Sequence, residues 1–124
     1  MMSLALAMQA IAAFNLVCSG TLRAGPIGVA LPEEGGEPFE ITYRIDLSSR
    51  LWCSDPCNAT EPVAEIVDGA ILLRDQHRPS GSHVIIVTPR TGRFADTLNE
   101  DDFAVLRSGR CEPAPFNGFP LSVA

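Results

Sequence analysis

The clearest hydrophobic pattern in the chain lies between positions 39 and 47, where apolar and polar residues alternate strictly. The apolar positions are Phe39, Ile41, Tyr43, Ile45 and Leu47, and the polar ones are Glu40, Thr42, Arg44 and Asp46. A period of two is typical of a β-strand with one buried and one solvated face, whereas a helix would spread these apolar residues around its whole circumference. The pattern therefore predicts a half-buried strand.

Shorter apolar runs predict the remaining strands. They cover residues 14–21, 51–53, 63–67, 70–73, 84–87, 93–97 and 103–107. Asp68-Gly69 separates two of these runs and predicts a tight hairpin, because glycine tolerates a positive φ. Residues 24–38 are expected to form a Gly/Pro/Glu loop and residues 75–82 a polar turn. A helix beginning at Asn99, capped by that side chain, is the alternative for the last strand.

These elements indicate an all-β protein, a small antiparallel β-barrel or sandwich of six to seven strands. Short strands separated by turn signals, without β–α alternation, are typical of both architectures. With 124 residues the chain is long enough for one small domain. We expect that domain to cover residues 14–124 and to end in an irregular tail, EPAPFNGFPLSVA, that is rich in Pro and Phe and packs against the body.

The segment of residues 1–13 is similar to a secretory signal peptide. It has no charged side chain, it is apolar from Leu4 to Ala13 except at Gln9, and Ala10-Ile11-Ala12 matches a small-residue cleavage site. No Lys or Arg precedes the apolar run, which departs from the usual pattern, and a buried strand or helix of the domain is the alternative. The run is too short for a transmembrane span, which needs about 20 residues. We therefore expect a periplasmic or secreted protein that has no transmembrane span after processing.

The charge balance argues against two classes of partner. Nine basic residues, all of them Arg, face fifteen acidic ones, which gives a net charge of −6. Binding to nucleic acid needs a basic stripe, and docking on anionic lipid needs a cluster of basic residues. The expected partner is thus an unknown protein or small ligand, bound by a monomer.

The four cysteines, Cys18, Cys53, Cys57 and Cys111, allow three pairings. The close pair has C-x3-C spacing, and the other two stand alone, so a zinc site with two C-x2-C knuckles is not indicated. In an oxidising compartment two structural disulfides are the simplest interpretation. We prefer Cys18–Cys111 with Cys53–Cys57, because the first and last strands meet when a barrel closes. The short bridge would then hold the turn at residues 54–56.

Other polar clusters predict no catalytic site, metal site or cofactor. Asp75, His77 and His83 are interpreted as solvated side chains in a turn. The acidic run 100–102 lacks the alternating Asp/Asn positions and the Gly of a calcium loop. The serines lack the strand–turn–helix setting of a hydrolase nucleophile.

The motifs FNLVCSGT, YRIDL, RLWC, TGRF and SGRCEPAPFNGFP resemble those of a group of small, uncharacterised exported proteins of proteobacteria. This resemblance implies an exported all-β domain and no known activity. The layout is more distantly similar to periplasmic inhibitors of c-type lysozyme, which are small β-barrels with a Ser/Gly-rich loop that enters the enzyme's cleft. That similarity implies a partner-binding loop at Ser80, Gly81, Ser82 and His83, although the expected flanking aromatic residues are missing.

The sequence thus predicts a non-enzymatic exported β-domain that acts as a binding or cell-envelope accessory module. One alternative is a periplasmic inhibitor of a hydrolase such as lysozyme. Another is a small hydrolase with unidentified catalytic residues.

Overall fold

The computed structural model describes residues 12–31 and 36–120, and these residues form β-strands and no helix. The strands are β1 (Ala13–Pro26), β2 (Glu37–Asp46), β3 (Leu51–Ser54), β4 (Glu61–Pro62), β5 (Glu65–Val67), β6 (Ala70–Arg78), β7 (Gly81–Thr88), β8 (Arg93–Glu100) and β9 (Phe103–Pro115). The all-β class is confirmed, but six to seven strands were too few, since the described residues alone form nine. Within the described ranges no helix could span a membrane. Most of the signal-peptide-like segment, residues 1–11, lies outside the described residues, and β1 begins at Ala13.

All nine strands belong to one antiparallel sheet in the order β4-β3-β2-β1-β9-β8-β7-β6-β5. The two edge strands, β4 and β5, are consecutive in the chain and are separated only by Val63 and Ala64. The Val63 N–H donates to the Arg50 carbonyl (2.9 Å) and the Ala64 N–H to the Leu72 carbonyl (2.9 Å). The sheet therefore curls, with a concave inner face and a convex outer face.

The hydrophobic core lies on the inner face. Its buried members are Leu16, Cys18, Tyr43, Ile45, Trp52, Val63, Ile71, Leu73, Ile85, Val87, Phe94 and Cys111. Phe39, Ile41 and Leu47 pack against this cluster and are partly buried. The apolar face predicted from the alternation of residues 39–47 is thus the inner face of β2, which itself ends at Asp46.

Both predicted cysteine pairs are present. Cys18 lies directly opposite Cys111 in the pairing of β1 with β9, and the two form a disulfide. The first and last strands pair from Phe14↔Pro115 to Pro26↔Phe103, as the barrel argument expected. Cys53, at the end of β3, forms the second disulfide with Cys57.

Several predicted boundaries were wrong because strand pairing overrides local composition. β1 continues to Pro26 through residues assigned to a loop, since β9 pairs with it along its whole length. The polar segment 75–82 is mostly strand, in β6 and β7, and only Pro79 and Ser80 turn the chain. The helix from Asn99 does not form, because β8 and β9 are joined by a turn at Asp101, which has a φ of 52°. The Asp68-Gly69 hairpin is confirmed, with φ values of 49° and 85°.

The C-terminal tail is irregular only after Pro115, since β9 includes the preceding EPAP. Beyond that point it packs on the outer face of β1 and β2. Asn15 Nδ2 donates to Asn117 Oδ1 (2.9 Å), and Arg44 Nη1 donates to the Gly118 carbonyl (2.9 Å). Phe116 and Phe119 contact each other edge to face, with ring centroids 5.1 Å apart. Residues 121–124 lie outside the described residues.

Candidate binding pocket

A β-bulge in β6 turns a run of polar side chains toward the inner face. Ile71 and Leu73 belong to the core, but the pairing with β7 shifts by one residue between Leu72 and Arg74. A bulge adds one residue to a strand, so the residues beyond it exchange faces. Arg74 therefore pairs with the buried Ile85 and shares its inner face. By the same alternation, positions 76 and 78 follow Arg74 on that face.

A continuous chain of ion pairs and hydrogen bonds crosses the inner face from β4 to β9. Arg74 donates through Nε to Glu61 Oε2 (3.0 Å) and through Nη2 to Glu61 Oε1. Arg74 Nη1 lies 2.9 Å from His83 Nδ1, and His83 Nε2 lies 2.7 Å from Asp96 Oδ1. Arg107 Nη1 completes the chain 3.5 Å from Asp96 Oδ2. We call these five residues the inner ion chain.

The tautomer of His83 follows from its two neighbours. A guanidinium only donates hydrogen bonds, so His83 Nδ1 must accept from Arg74. The ring proton is then on Nε2, which donates to the Asp96 carboxylate. Both nitrogens are occupied, and the side chain is only 20% exposed. The interpretation of His83 as a solvated turn residue was wrong, because β7 carries it onto the inner face.

The inner ion chain lies over the aromatic part of the core. Asp96 is only 3% exposed, and a buried carboxylate is tolerated when charged or polar partners surround it. The Arg74 guanidinium stands 5.3 Å from the centroid of Trp52, and that of Arg107 stands 5.1 Å from the centroid of Phe39. These cation–π contacts hold the two arginines between the apolar core and the solvent.

Tyr43 and Trp52 bring unused hydrogen-bonding groups to the same region. The Tyr43 hydroxyl and Trp52 Nε1 are buried without a hydrogen-bond partner among the described protein atoms. Burial raises the pKa of Tyr43 above its ordinary value, and the negative charge of Asp96 adds to that rise. Buried hydroxyl and indole N–H groups usually bind a protein group or an ordered water. These two polar groups lie beneath the inner ion chain and are closed off from solvent.

A polar cavity of about 170 Å³ opens beside the inner ion chain, where the β6–β7 hairpin meets β8. The residues predicted as a partner-binding loop all line it: Ser80, Gly81, Ser82 and His83. Arg74, Gln76, Arg78, Leu98, Asn99 and Glu100 complete the lining. At Gly81 an added Cβ would overlap the Asn99 carbonyl oxygen, so the close approach of β7 to β8 at this wall requires glycine.

The other candidate residues lie apart from this cavity. Asp75 and His77 are exposed and hydrogen-bond each other, with His77 Nε2 2.7 Å from Asp75 Oδ1. Asp101 and Asp102 are exposed in the β8–β9 turn. Among residues 12–31 and 36–120, no cluster of His, Cys, Asp or Glu could hold a metal ion.

Sequence reasoning missed four members of the inner ion chain: Glu61, Arg74, Asp96 and Arg107. One signal was available for Asp96, which lies between Phe94 and Leu98 at a spacing of two. A charged residue on the apolar face of a strand indicates either a partner inside the fold or a functional site. No comparable signal marked Arg74, because the bulge that turns it inward leaves no trace in the apolar pattern.

Comparisons with protein-family models, curated proteins and solved structures found no match to this chain. Membership of the group of exported proteins and similarity to lysozyme inhibitors therefore stay predictions. The function has to be inferred from the geometry of the inner face.

Proposed function

We propose that this protein is a non-enzymatic binding domain of the periplasm or the extracellular space, and that its inner-face pocket receives a small polar ligand or one polar group of a larger partner. The observation that carries the proposal is the cavity beside the inner ion chain. Arg74 and His83, which line it, are held from behind by Glu61 and Asp96. The Arg74 guanidinium keeps N–H donors beyond those that bind Glu61 and His83, and because it is already fixed in this way, the cost of ordering it on binding is reduced.

The two disulfides support the proposed location in the periplasm or the extracellular space. Such bonds form and persist in oxidising environments, and they are rare in proteins kept in a reducing cytosol. Removal of the signal-peptide-like segment at Ala12 would leave β1 complete, since the strand begins at Ala13.

The chemistry of the pocket favours a ligand with several hydroxyl or amide groups, such as a saccharide unit or a dipeptide. Its volume of about 170 Å³ is below the roughly 300–1,000 Å³ of pockets for drug-sized ligands, so it suits a small group. The rim carries one charge of each sign, Arg78 and Glu100, and the side-chain amide of Gln76. Such a rim can both donate to and accept from a neutral polar ligand.

Two features favour binding over the alternatives. His83 uses both ring nitrogens, and Ser82 points to the opposite face of β7, where its Oγ accepts from Asn99 Nδ2 (3.3 Å). Within residues 12–31 and 36–120, no hydrogen bond joins the His83–Asp96 pair to a serine, threonine or cysteine side chain that it could activate. The segment 80–83 lines a concavity, whereas an inhibitory loop would have to project into an enzyme's cleft.

The proposal is tested by titrating the ¹⁵N-labelled protein with glucose, N-acetylglucosamine and alanyl-alanine at millimolar concentrations. We expect saturable shifts of backbone amides in residues 74–83 and 98–100 with at least one probe. Gln76→Leu, at an exposed position of the lining, should abolish them, and Asn58→Leu, in an exposed loop outside the pocket, should retain them. Saturable shifts confined to other strands, or none with any probe, would remove the support for this pocket. Inhibition of c-type lysozyme that Ser80→Trp abolishes would favour the inhibitor function instead.

A further inference from the structure

The outer face of the sheet carries a second concavity, of about 430 Å³, across β7, β8 and β9. Arg93 and Arg110 line it and lie directly opposite each other in the β8–β9 pairing. The Cys111 N–H donates to the Gly92 carbonyl (2.6 Å) one position further along. Hydrogen-bonded and non-hydrogen-bonded residue pairs alternate along an antiparallel ladder. Because Gly92 and Cys111 form a hydrogen-bonded pair, Arg93 and Arg110 form a non-hydrogen-bonded pair, in which the side chains lie closer together. Two exposed guanidinium groups therefore emerge side by side.

This arrangement is unfavourable without an anion. Like charges directly opposite each other destabilise an antiparallel pair. Neither arginine forms an ion pair with any carboxylate in the part of the chain that the structure describes. Carboxylates are not scarce, since the chain has fifteen acidic and nine basic residues. Glu112 is two residues from Arg110 on the same face of β9, yet no ion pair joins them.

The surroundings of the pair add further donors. Thr88 pairs with Arg93 across β7 and β8, and Ser108 lies two residues from Arg110 on the same face of β9, so two hydroxyls flank the guanidinium groups. Arg90, exposed in the adjoining β7–β8 turn, contributes a third positive charge to this end of the sheet. Guanidinium groups bind phosphate and sulfate through paired N–H donors, and hydroxyls can donate to the remaining oxygens.

We propose that Arg93 and Arg110, with Thr88 and Ser108, form a binding site for a phosphate or sulfate group, either as the free ion or as a small monoester. The site is on the outer face and is independent of the inner-face pocket, so either can exist without the other. A membrane surface is not the expected source of the group, because the net charge of −6 repels anionic lipid over the rest of the molecule.

Inorganic phosphate, sulfate and glycerol phosphate are the probes, and thermal unfolding at constant ionic strength, balanced with NaCl, is the first measurement. A ligand that binds only the folded state raises the unfolding temperature. We expect phosphate to raise the unfolding temperature of the wild type by several degrees and to leave the unfolding temperature of Arg93→Gln/Arg110→Gln unchanged. Calorimetric titration should show at least a tenfold loss of phosphate affinity in each single variant. Without phosphate, the double variant should unfold at the same or a higher temperature than the wild type, because the repulsion has been removed.

Arg50→Gln is the matched control, since Arg50 is an exposed arginine in the β2–β3 turn and forms no ion pair with any residue that the structure describes. It should keep the full response to phosphate. An equal response in the wild type and the double variant, or no saturable binding of any of the three anions, would overturn the proposal. Sedimentation with phosphatidylglycerol vesicles, without binding of the free anions, would assign the arginines to a membrane surface and would also overturn it.

Discussion

The two disulfides join the chain in opposite ways. Cys18–Cys111 connects residues 93 positions apart, in the middle of the sheet and inside the core. Cys53–Cys57 connects residues 4 positions apart at the end of β3, where it closes a turn that contains the cis Asp55–Pro56 bond. One disulfide thus links the two ends of the fold, whereas the other closes a single turn.

This difference determines what each bond contributes to stability. Cross-linking restricts the unfolded chain by an amount that grows with the length of the loop it closes, about 4–5 kcal/mol for the long loop and about 2 kcal/mol for the short one. The surroundings differ as well, because β1 and β9 approach closely around Cys18 and Cys111. The first bond therefore secures the sheet, and the second one secures a local turn.

Replacing both Cys18 and Cys111 with Ser should therefore have the largest effect, a loss of about 4–5 kcal/mol in the free energy of unfolding. Urea denaturation measures it, and non-reducing peptide mapping of the wild type checks the pairing. A loss no larger than that from removing the short bond would refute the difference between the two.

Gly109→Ala tests whether the packing around the long bond matters as much as the bond. Gly109 lies opposite Gly20, and an added Cβ would overlap the Ser19 carbonyl oxygen of β1. We expect a loss of about 2–3 kcal/mol with the disulfide intact, because the two strands would have to separate. The control is Gly25→Ala, whose new Cβ meets only the end of the Leu31 side chain (3.1 Å) and should cost little. Equal effects of the two substitutions would show that close approach of β1 and β9 is not required.

Replacing both Cys53 and Cys57 with Ser should reduce the free energy of unfolding by about 2 kcal/mol, half the effect of the long bond or less. Amide exchange should rise mainly in residues 53–60, since only the turn gains freedom. Faster exchange throughout β1 and β9 would contradict a purely local role.

The smallest effect is expected from Arg44→Gln, which probes what else holds that turn. Arg44 Nε donates to Asp55 Oδ1 (2.7 Å), and Nη1 donates to the Gly118 carbonyl, so this side chain connects the turn with the C-terminal tail. Loss of these partly exposed contacts should cost about 1 kcal/mol. When Arg44→Gln is combined with Cys53→Ser/Cys57→Ser in a double-mutant cycle, the losses in free energy of unfolding should be coupled. When Arg44→Gln is combined with Cys18→Ser/Cys111→Ser, the two losses should add.

Those parts of the fold that follow from local pattern could be predicted from the sequence. The alternation of residues 39–47 identified β2 and its buried face, and Asp68-Gly69 identified a hairpin turn. The cysteine pairing followed from the argument that the first and last strands meet. The split of residues 61–67 between two edges of the sheet could not be predicted. Val63 hydrogen-bonds to Arg50 and Ala64 to Leu72, and the curling of the sheet is what brings both partners close to this segment.

The site was less predictable than the fold. Ser80, Gly81, Ser82 and His83 were identified by resemblance and do line the pocket, but the residues that make the pocket polar were missed. Their inward direction depends on the register shift at Leu72/Arg74, which no pattern of apolar residues reveals. His83 and Asp96 stabilise each other inside the fold although they are 13 residues apart. The position of Asp96 between Phe94 and Leu98 was a local signal of burial, but nothing near His83 in the sequence indicated its partner.

The pairing of β1 with β9 also affects the order in which the chain can fold. Cys111 follows Cys18 by 93 residues, and Cys53 and Cys57 lie between them. Until Cys111 has reached the oxidising compartment, Cys53 and Cys57 are the thiols that Cys18 can reach, and any bond it forms with them has to be exchanged later. Uncatalysed exchange takes minutes to hours. The sheet therefore cannot reach its final register until the last strand has emerged, and the yield of correctly bonded protein should depend on a disulfide isomerase.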